Sequence, residues 1–395
     1  MSKAIVIGAG KTGRGFIGRL LKEANCDIIF IDKNKDLVDK LNTEGSFLVE
    51  FFGNSRSAVR VDNYKAYTWE NADLEDANLI FVSVCGQNLT DVGASLSKLL
   101  KNDKKYYIIT CENASKPSVT LKNAIIEKCV SVSEATVFCT TIESDGYNIN
   151  SENYPYLQCN AELLEGYIPP VASVKPIANF ADFLTRKLLT YNAASCVIAY
   201  IGAVLGYTDY GEAANTPVIL KLLDKNYAAT NTAMCMKFGY EPKDQAEFAA
   251  LSKVKFCDRT IVDTVARNAR EPHRKLGANE RIIGAAKLLR ECGQDSSVLE
   301  LTAAAALLYD DPNDATWTKI KAENTFEEIL INVCGLKRDE ELFGNIISLI
   351  GKLQSNKGGI INESSNSSGR GEIPHWKRRV QPHYCSFFKT SGRSF

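Results

Sequence analysis

The sequence predicts an α/β domain followed by a mainly α-helical domain. Three observations carry this. Apolar runs alternate with helix-spaced segments through residues 1–145, a glycine-rich turn opens the chain, and from residue 177 to about 353 the spacing is helical almost throughout. In order, residues 4–7 form a short apolar run, 14–24 read as a helix, and 27–31 form a second apolar run ended by Asp32. Residues 79–84, 106–111 and 135–142 are further strand candidates, with helical spacing at 89–100 and 118–129 between them. Strands that are apolar without alternation are buried on both faces, as in a parallel sheet covered by helices. Residues 47–52 and 58–61 look like an inserted hairpin, and 145–172, rich in Asn, Tyr, Glu and Pro, read as irregular or short-strand structure. The alanine run within 299–308 marks a tightly packed core helix.

A chain of 395 residues exceeds what one core commonly fills, so two domains are expected, at 1–172 and 173–355. Residues 356–395 differ: Gly, Ser and Asn dominate first, and from 357 on seven Lys or Arg face two Asp or Glu. That composition reads as a disordered basic tail. Over the whole chain Lys plus Arg and Asp plus Glu both number 47, so charge gives no reason to expect a nucleic-acid or membrane partner. The first residues run straight into a strand without signal-peptide architecture, and no apolar run approaches the roughly 20 residues of a membrane span. The twelve cysteines are scattered with no Cys-x-x-Cys pair, which fits free thiols in a reducing cytoplasm. Two of the three histidines lie in the tail, so no metal site is expected.

Gly8-Ala9-Gly10-Lys11-Thr12-Gly13 has the G-x-G-x-x-G spacing, follows an apolar strand and opens a helix. In a Rossmann-type dinucleotide-binding domain the first glycine permits the tight turn, the second lets the backbone approach a pyrophosphate, and the third lets helix and strand pack closely. The phosphate charge meets the helix N-terminus. Asp32 ends the second strand, 19 residues after Gly13, where a carboxylate binds adenosine ribose hydroxyls and repels a ribose phosphate. NAD is therefore expected over NADP. Gly86, after the strand at 79–84, either lets the backbone lie against the cofactor or simply enters a helix.

The segment from Arg186 to Ser195 places a lysine, a carboxamide and a hydroxyl along one stretch of helix. On an ideal α-helix, with Lys187 at zero, Ser195 falls near about 80° and Asn192 near about 140°. All three can border one cavity. Alcohol oxidation needs a base for the hydroxyl proton and donors for the developing alkoxide. A desolvated lysine beside a cationic nicotinamide has a lowered pKa and suits the first task. A polar surface face is the alternative reading of the same spacing.

Four separated motifs, in order, give the chain a resemblance to the polyol-specific long-chain dehydrogenases over about residues 1–355. They are Gly8 through Gly18; Cys111-Glu112-Asn113; Arg186-Lys187-Leu188 through Asn192 with Ala199-Tyr200-Ile201-Gly202; and Arg270 through Leu276 with Glu280-Arg281. The resemblance implies that Lys187 is the general base and that Asn192 and Asn113 form the alkoxide-stabilising pair. In that family a histidine follows the asparagine by three, and here the position holds Ser195. Near 143 the family tends to carry an Asp-Arg pair, where this chain has Glu143-Ser144. His273 stands where an apolar residue is common, and Arg270 and Lys275 are either anion ligands for the substrate or an ion-paired surface.

The resemblance implies a cytoplasmic NAD-dependent oxidoreductase, monomeric or homodimeric, that interconverts a sugar alcohol and a ketose. Mannitol 1-phosphate and fructose 6-phosphate head the candidates. A hexuronate reductase of the same family and an NAD-binding protein silenced by Ser195 are the alternatives.

Overall fold

The computed structural model describes residues 2–112, 114, 116–311 and 313–366. They form two compact units, one up to Phe180 and one from Ala181 on. The division falls later than the expected 172/173 because the last strand of the first unit pairs with its neighbour in that unit's sheet.

The first unit contains β1 (Lys3–Ile7), α1 (Arg19–Glu23), β2 (Asp27–Ile31), α2 (Lys35–Glu44), β3 (Ser46–Phe51), β4 (Val59–Asp62), β5 (Tyr64–Tyr67) and β6 (Leu79–Val82). It continues with α3 (Leu89–Leu99), β7 (Tyr106–Thr110), α4 (Pro117–Ala124), β8 (Val130–Thr136), β9 (Thr141–Ser144), β10 (Asn148–Ser151), β11 (Leu157–Asn160) and β12 (Val174–Ile177). Eight strands form one sheet in the order β12-β11-β8-β7-β6-β1-β2-β5. From β5 to β8 every pairing is parallel, while β11 runs antiparallel to β8. That parallel part has the doubly wound order, which reverses between β1 and β6. Ile5, Ile7, Ile80 and Val82 pack on one face with Leu89, Val92 and Leu96 of α3. Val6, Phe30 and Phe81 pack on the other with Phe16, Leu20 and Leu21. Both faces are buried, so the strands read as continuous apolar runs. The expected hairpin is present as antiparallel β3 and β4, within a second sheet of order β4-β3-β10-β9.

The second unit is helical: α5 (Phe180–Lys187), α6 (Ala193–Val204), α7 (Tyr210–Ala214), α8 (Pro217–Phe238), α9 (Pro242–Cys257), α10 (Val265–Ala269), α11 (Pro272–Lys275) and α12 (Ile283–Glu291). Then come α13 (Ser297–Leu308), α14 (Ala315–Glu323), α15 (Phe326–Asn332), α16 (Glu341–Ser355) and α17 (Lys357–Asn366). At its centre α6 packs against α8, α10 and α13. The alanine run of α13 is buried throughout, as its composition predicts. The stretch Phe180–Val204 is, among the described residues, the one helix long and apolar enough to cross a membrane, and most of it is buried in protein. The core position of α6 accounts for that composition.

The disordered tail expected from residue 356 is corrected over its first part, where α17 forms. Ile361 is fully buried in the helical core, and the Asn356 side chain accepts from Gly359 N at 3.1 Å. Two adjacent isoleucines thus outweigh the glycine- and serine-rich composition around them. Residues 367–395 lie outside the described residues.

Candidate active site

The glycine fingerprint folds as its spacing predicts. Gly8 has φ of +91°, and a Cβ there would lie 2.0 Å from Ser83 O. A Cβ on Gly13 would lie 1.9 Å from Gly8 O, so helix and turn touch at this point. Above Gly10 there is open space. Residues 11–23 are helical, with Gly13–Gly18 in π geometry. Asp32 faces the turn directly: one carboxylate oxygen accepts from Ala9 N at 2.7 Å and the other from Asn34 N at 2.8 Å. The carboxylate remains half-buried, with lone pairs left for ribose hydroxyls. Gly8, Gly10, Gly13 and Asp32 therefore converge at the C-terminal edge of β1 and β2, beside the point where strand order reverses. Ligands of doubly wound sheets bind at that point.

Gly86 lies across the same switch point and opens a short 3-10 turn, Gly86–Asn88, leading into α3. Just before it Cys85 adopts φ of 72°. Glu112 holds this backbone, accepting from Val84 N at 2.5 Å and Cys85 N at 3.1 Å. Burial raises the Glu112 pKa, and those two bonds pull it back down. Glu112 is a positioning residue, and its only mark in the sequence is its place in the Cys111-Glu112-Asn113 motif. Asn113, beside it, lies outside the described residues.

Glu143, where the family resemblance suggested a different pair, has a partner inside the first unit. It accepts from Arg14 Nη2 at 2.5 Å, and Arg14 is fully buried on the fingerprint helix. The guanidinium also lies 5.8 Å from the Phe47 ring and 5.6 Å from the Tyr147 ring. Glu143 thus ties the fingerprint helix to the second sheet.

In the helical unit, Lys187 ends α5, a π turn spans Leu188–Asn192, and α6 follows. The backbone closes that turn by Ala193 N bonding to Leu188 O. A π turn bonds five residues apart and winds less per residue than an α turn. Asn192 therefore stays nearer the side of Lys187 than the α-helical reckoning placed it. Burial shows the result. From 189 to 202 every residue is buried except Asn192 and Ser195, which are half-buried, as are Lys187 and Leu188. Positions 188, 192 and 195 share one helix face. The open positions of this otherwise enclosed stretch, 187, 188, 192 and 195, thus include the three predicted polar groups. Among the described residues the Asn192 carboxamide makes no hydrogen bond.

The π turn is clamped from α9. Gln245, fully buried, accepts from Arg186 Nε at 2.7 Å and donates to Thr190 Oγ1 at 3.2 Å and Asn231 Oδ1 at 3.1 Å. Arg186 itself stacks near Tyr240 and Phe248, 4.3 and 4.2 Å from their ring centres. This clamp brings α9, with Lys255, close to Lys187. The Lys187 pKa is lowered to about 7, first by burial, then by repulsion from Lys255 and Arg281. The residue as a whole is half-buried, while its ammonium is densely surrounded.

Arg270 and Lys275 occupy different environments. Arg270 is exposed, its Nε donating to Arg267 O at 3.1 Å. Lys275 is buried, donates to Asn268 O at 2.6 Å, and lies 5.9 Å from the Tyr200 ring on α6. Burial lowers its pKa to about 8; Cys196 raises it in part and Arg281 adds to the lowering. Arg281 therefore acts on both lysines, a role that spacing did not single out. His273 is half-buried, and its Nδ1 has no hydrogen-bond partner among the described residues. Ser195 accepts a hydrogen bond from Tyr210 Oη at 2.9 Å. Tyr210 was missed because it belongs to another helix. Its one signal was Asp209, whose side chain accepts from Glu212 N and starts that helix. The described residues hold no group of His, Cys, Asp and Glu fit to bind a metal.

Known proteins of similar sequence and fold identify the family. Residues 2–142 match the mannitol dehydrogenase Rossmann domain and residues 179–344 the mannitol dehydrogenase C-terminal domain. The chain is 26% identical to a mannitol-1-phosphate 5-dehydrogenase of Exiguobacterium sibiricum over 367 residues, covering 88% of this chain and 96% of that protein. It is 29% identical to one from Bacillus velezensis, covering 87% and 98%. Its fold resembles that of Pseudomonas fluorescens mannitol 2-dehydrogenase, solved with NAD and D-mannitol, at a TM-score of 0.68 and 12% identity over 92% of this chain and 94% of the other. A D-sorbitol dehydrogenase superposes with a TM-score of 0.70 at 14% identity, covering 91% and 94%. Both domain profiles match in order, each on the unit built for its task, and the chain belongs to the mannitol dehydrogenase family.

Proposed function

We propose that this protein is an NAD-dependent oxidoreductase that interconverts a phosphorylated sugar alcohol, mannitol 1-phosphate first among candidates, and its ketose. The observation that carries this reading is the open stripe of Lys187, Asn192 and Ser195, with Lys187 held near neutrality. The fingerprint fits the dinucleotide: a side chain at Gly8 or Gly13 would collide with backbone, while Gly10 leaves room for a pyrophosphate. NAD, when bound, accepts or returns hydride at nicotinamide C4. The chain's own residues do the rest. Lys187 takes the hydroxyl proton on its amine nitrogen during oxidation and returns it during reduction. The Asn192 amide donates to the oxygen as its charge grows, and Asn113 is assigned the same task by family resemblance. Arg281, Lys255 and Lys275 bring positive charge to this region, offset in part by Glu280 paired with Arg281, and an anionic substrate would suit it.

The same field would accept a carboxylate, so hexuronates are the competing substrate class. The eleven described cysteines are all free thiols, which supports a cytoplasmic setting. A screen of mannitol 1-phosphate, fructose 6-phosphate, tagaturonate and fructuronate with NAD(H) and NADP(H), read by NADH absorbance, separates these readings. We expect turnover with the sugar phosphates and preference for NAD through Asp32. No turnover on any of them, with NADH still raising the melting temperature, would establish the silent NAD-binding alternative.

The Lys187 pKa gives a pH signature. Oxidation needs the neutral amine, so its kcat/KM should rise through about pH 7 and level off above. Ketose reduction needs the ammonium form and should decline above about pH 7. Initial rates in both directions from about pH 5.5 to 9 check this; flat profiles would remove Lys187 as the base.

A further inference from the structure

Ser195 departs from the habit of helical hydroxyls in this chain. Ser97, Thr185, Thr232 and Thr302 each donate to the carbonyl four residues back, at 2.9, 2.9, 3.1 and 2.7 Å. That is the usual way for a hydroxyl in a helix to spend its hydrogen. Among the described residues Ser195 makes no such bond to Tyr191 O. Its one protein hydrogen bond is received, from Tyr210 Oη at 2.9 Å. A serine hydroxyl has one hydrogen to give and two lone pairs to receive with. Tyr210 occupies a lone pair, so among the described residues the hydrogen has no protein acceptor and is left to give to a substrate. The residue is half-buried and lies on the open stripe with Asn192 and Lys187.

Tyr210 is built as a fixed donor. It is buried at the start of α7, its ring edge-on to Phe256 at 6.1 Å, and its backbone N–H bonds to Asp263 O at 3.1 Å. Burial pushes its pKa well above the ordinary tyrosine value, and the bond to Ser195 pulls it back only in part. The phenol therefore keeps its proton at every working pH. It can give a hydrogen bond to Ser195 in all states of the reaction.

We propose that Tyr210 is a positioning residue of the active site, holding the Ser195 hydroxyl so that it donates to the reacting oxygen of the substrate alongside Asn192. The pair stands at the position where the family resemblance implies a histidine. No proton is transferred along it: Ser195 and Tyr210 both keep their hydrogens, and Lys187 alone carries the substrate proton. A donor that is itself receiving a hydrogen bond is polarised and becomes a better donor. The inference rests on the reading of this helix as catalytic.

The test is a double-mutant cycle on the best substrate of the screen above, with kcat, KM and melting temperature measured for each variant. Ser195→Ala is expected to lower kcat on the order of 100-fold, the size of effect seen when one donor to a developing oxyanion is removed. Tyr210→Phe, which preserves shape and burial, should lower kcat about tenfold with KM nearly unchanged. In the Ser195→Ala background the same tyrosine change should do nothing further to kcat. Ser195→Thr, which restores a hydroxyl, should recover most of the rate.

An equal loss from Tyr210→Phe in both backgrounds would overturn the proposal, since the tyrosine would then be acting through packing. So would a fall in melting temperature with kcat unchanged, or full turnover by Ser195→Ala. Lys187→Ala separates the two levels. If it keeps full turnover, the catalytic reading of the helix fails. If it is inactive while Ser195→Ala is fully active, only the role given to Ser195 and Tyr210 fails.

Discussion

Lys187→Met is expected to remove turnover and at the same time raise thermal stability. Loss of a positioned general base costs on the order of 100- to 10,000-fold in rate. Methionine keeps the length and apolar stem of lysine, so the helix core is undisturbed. The stability gain follows from the direction of the pKa shift. The folded-state value of about 7 lies below the ordinary 10.5. Between those two pH values the unfolded chain binds more protons, so wild-type stability rises with pH across that window. The cost of the enclosed ammonium is fully present below about pH 7 and gone above about 10.5. Because the residue is half-buried and partly screened, the gain should be on the order of 1 kcal/mol, a few degrees in melting temperature. Ligand-free melts of wild type and variant near pH 6 and pH 10 read it directly. The variant should lead at the lower pH and lose that lead at the higher. A constant or reversed gap would mean that Lys187 is not held out of its charged state.

Gly13→Ala should cripple cofactor binding. The added Cβ would lie 1.9 Å from Gly8 O, a backbone atom that cannot swing aside as a side chain can. The helix must retreat from β1 or the turn must open, and either moves the amides that face a pyrophosphate. Overpacking of this kind costs on the order of 1–3 kcal/mol. Expressed in binding, that is about 10- to 100-fold weaker NADH affinity. NADH fluorescence titration measures it, with circular dichroism showing that the fold persists. Gly10→Ala is the useful contrast. Open space lies above Gly10, so that variant should fold as the wild type does and lose affinity only through blocked approach of the ligand. Unchanged NADH affinity in Gly13→Ala would show that the turn is looser than its packing implies.

Local chemistry made much of this protein legible. The strands of the doubly wound sheet stood out because burial on both faces leaves apolar runs without alternation. The fingerprint and Asp32 were readable because turn, helix and carboxylate are set by short-range spacing. The alanine run of α13 announced a close-packed helix for the same reason. What spacing did not show lies in tertiary contacts. The Tyr210 bond to Ser195 joins residues on different helices. Lys255 and Arg281 act on Lys187 through the way α9 and the segment before α12 fold back, and Gln245 reaches the π turn from α9. The π turn itself has no reliable sequence signature, so an ideal α-helix misjudged the angle of Asn192. In α17, two isoleucines found a core that composition could not reveal.

The π turn has a consequence for anyone wishing to reshape this enzyme. Along α6 Ser195, with Asn192 at its start, is anchored by a core that tolerates few changes, while Lys187, the proposed base, sits on the far side of one surplus residue. If the same residues wound as an α-helix, Lys187 would swing relative to Asn192 and Ser195 by about a quarter of a turn. The geometry is therefore a matter of how the turn winds as much as of residue type. A change that relaxed this turn to α winding would keep every functional side chain in the sequence and still point one of them elsewhere.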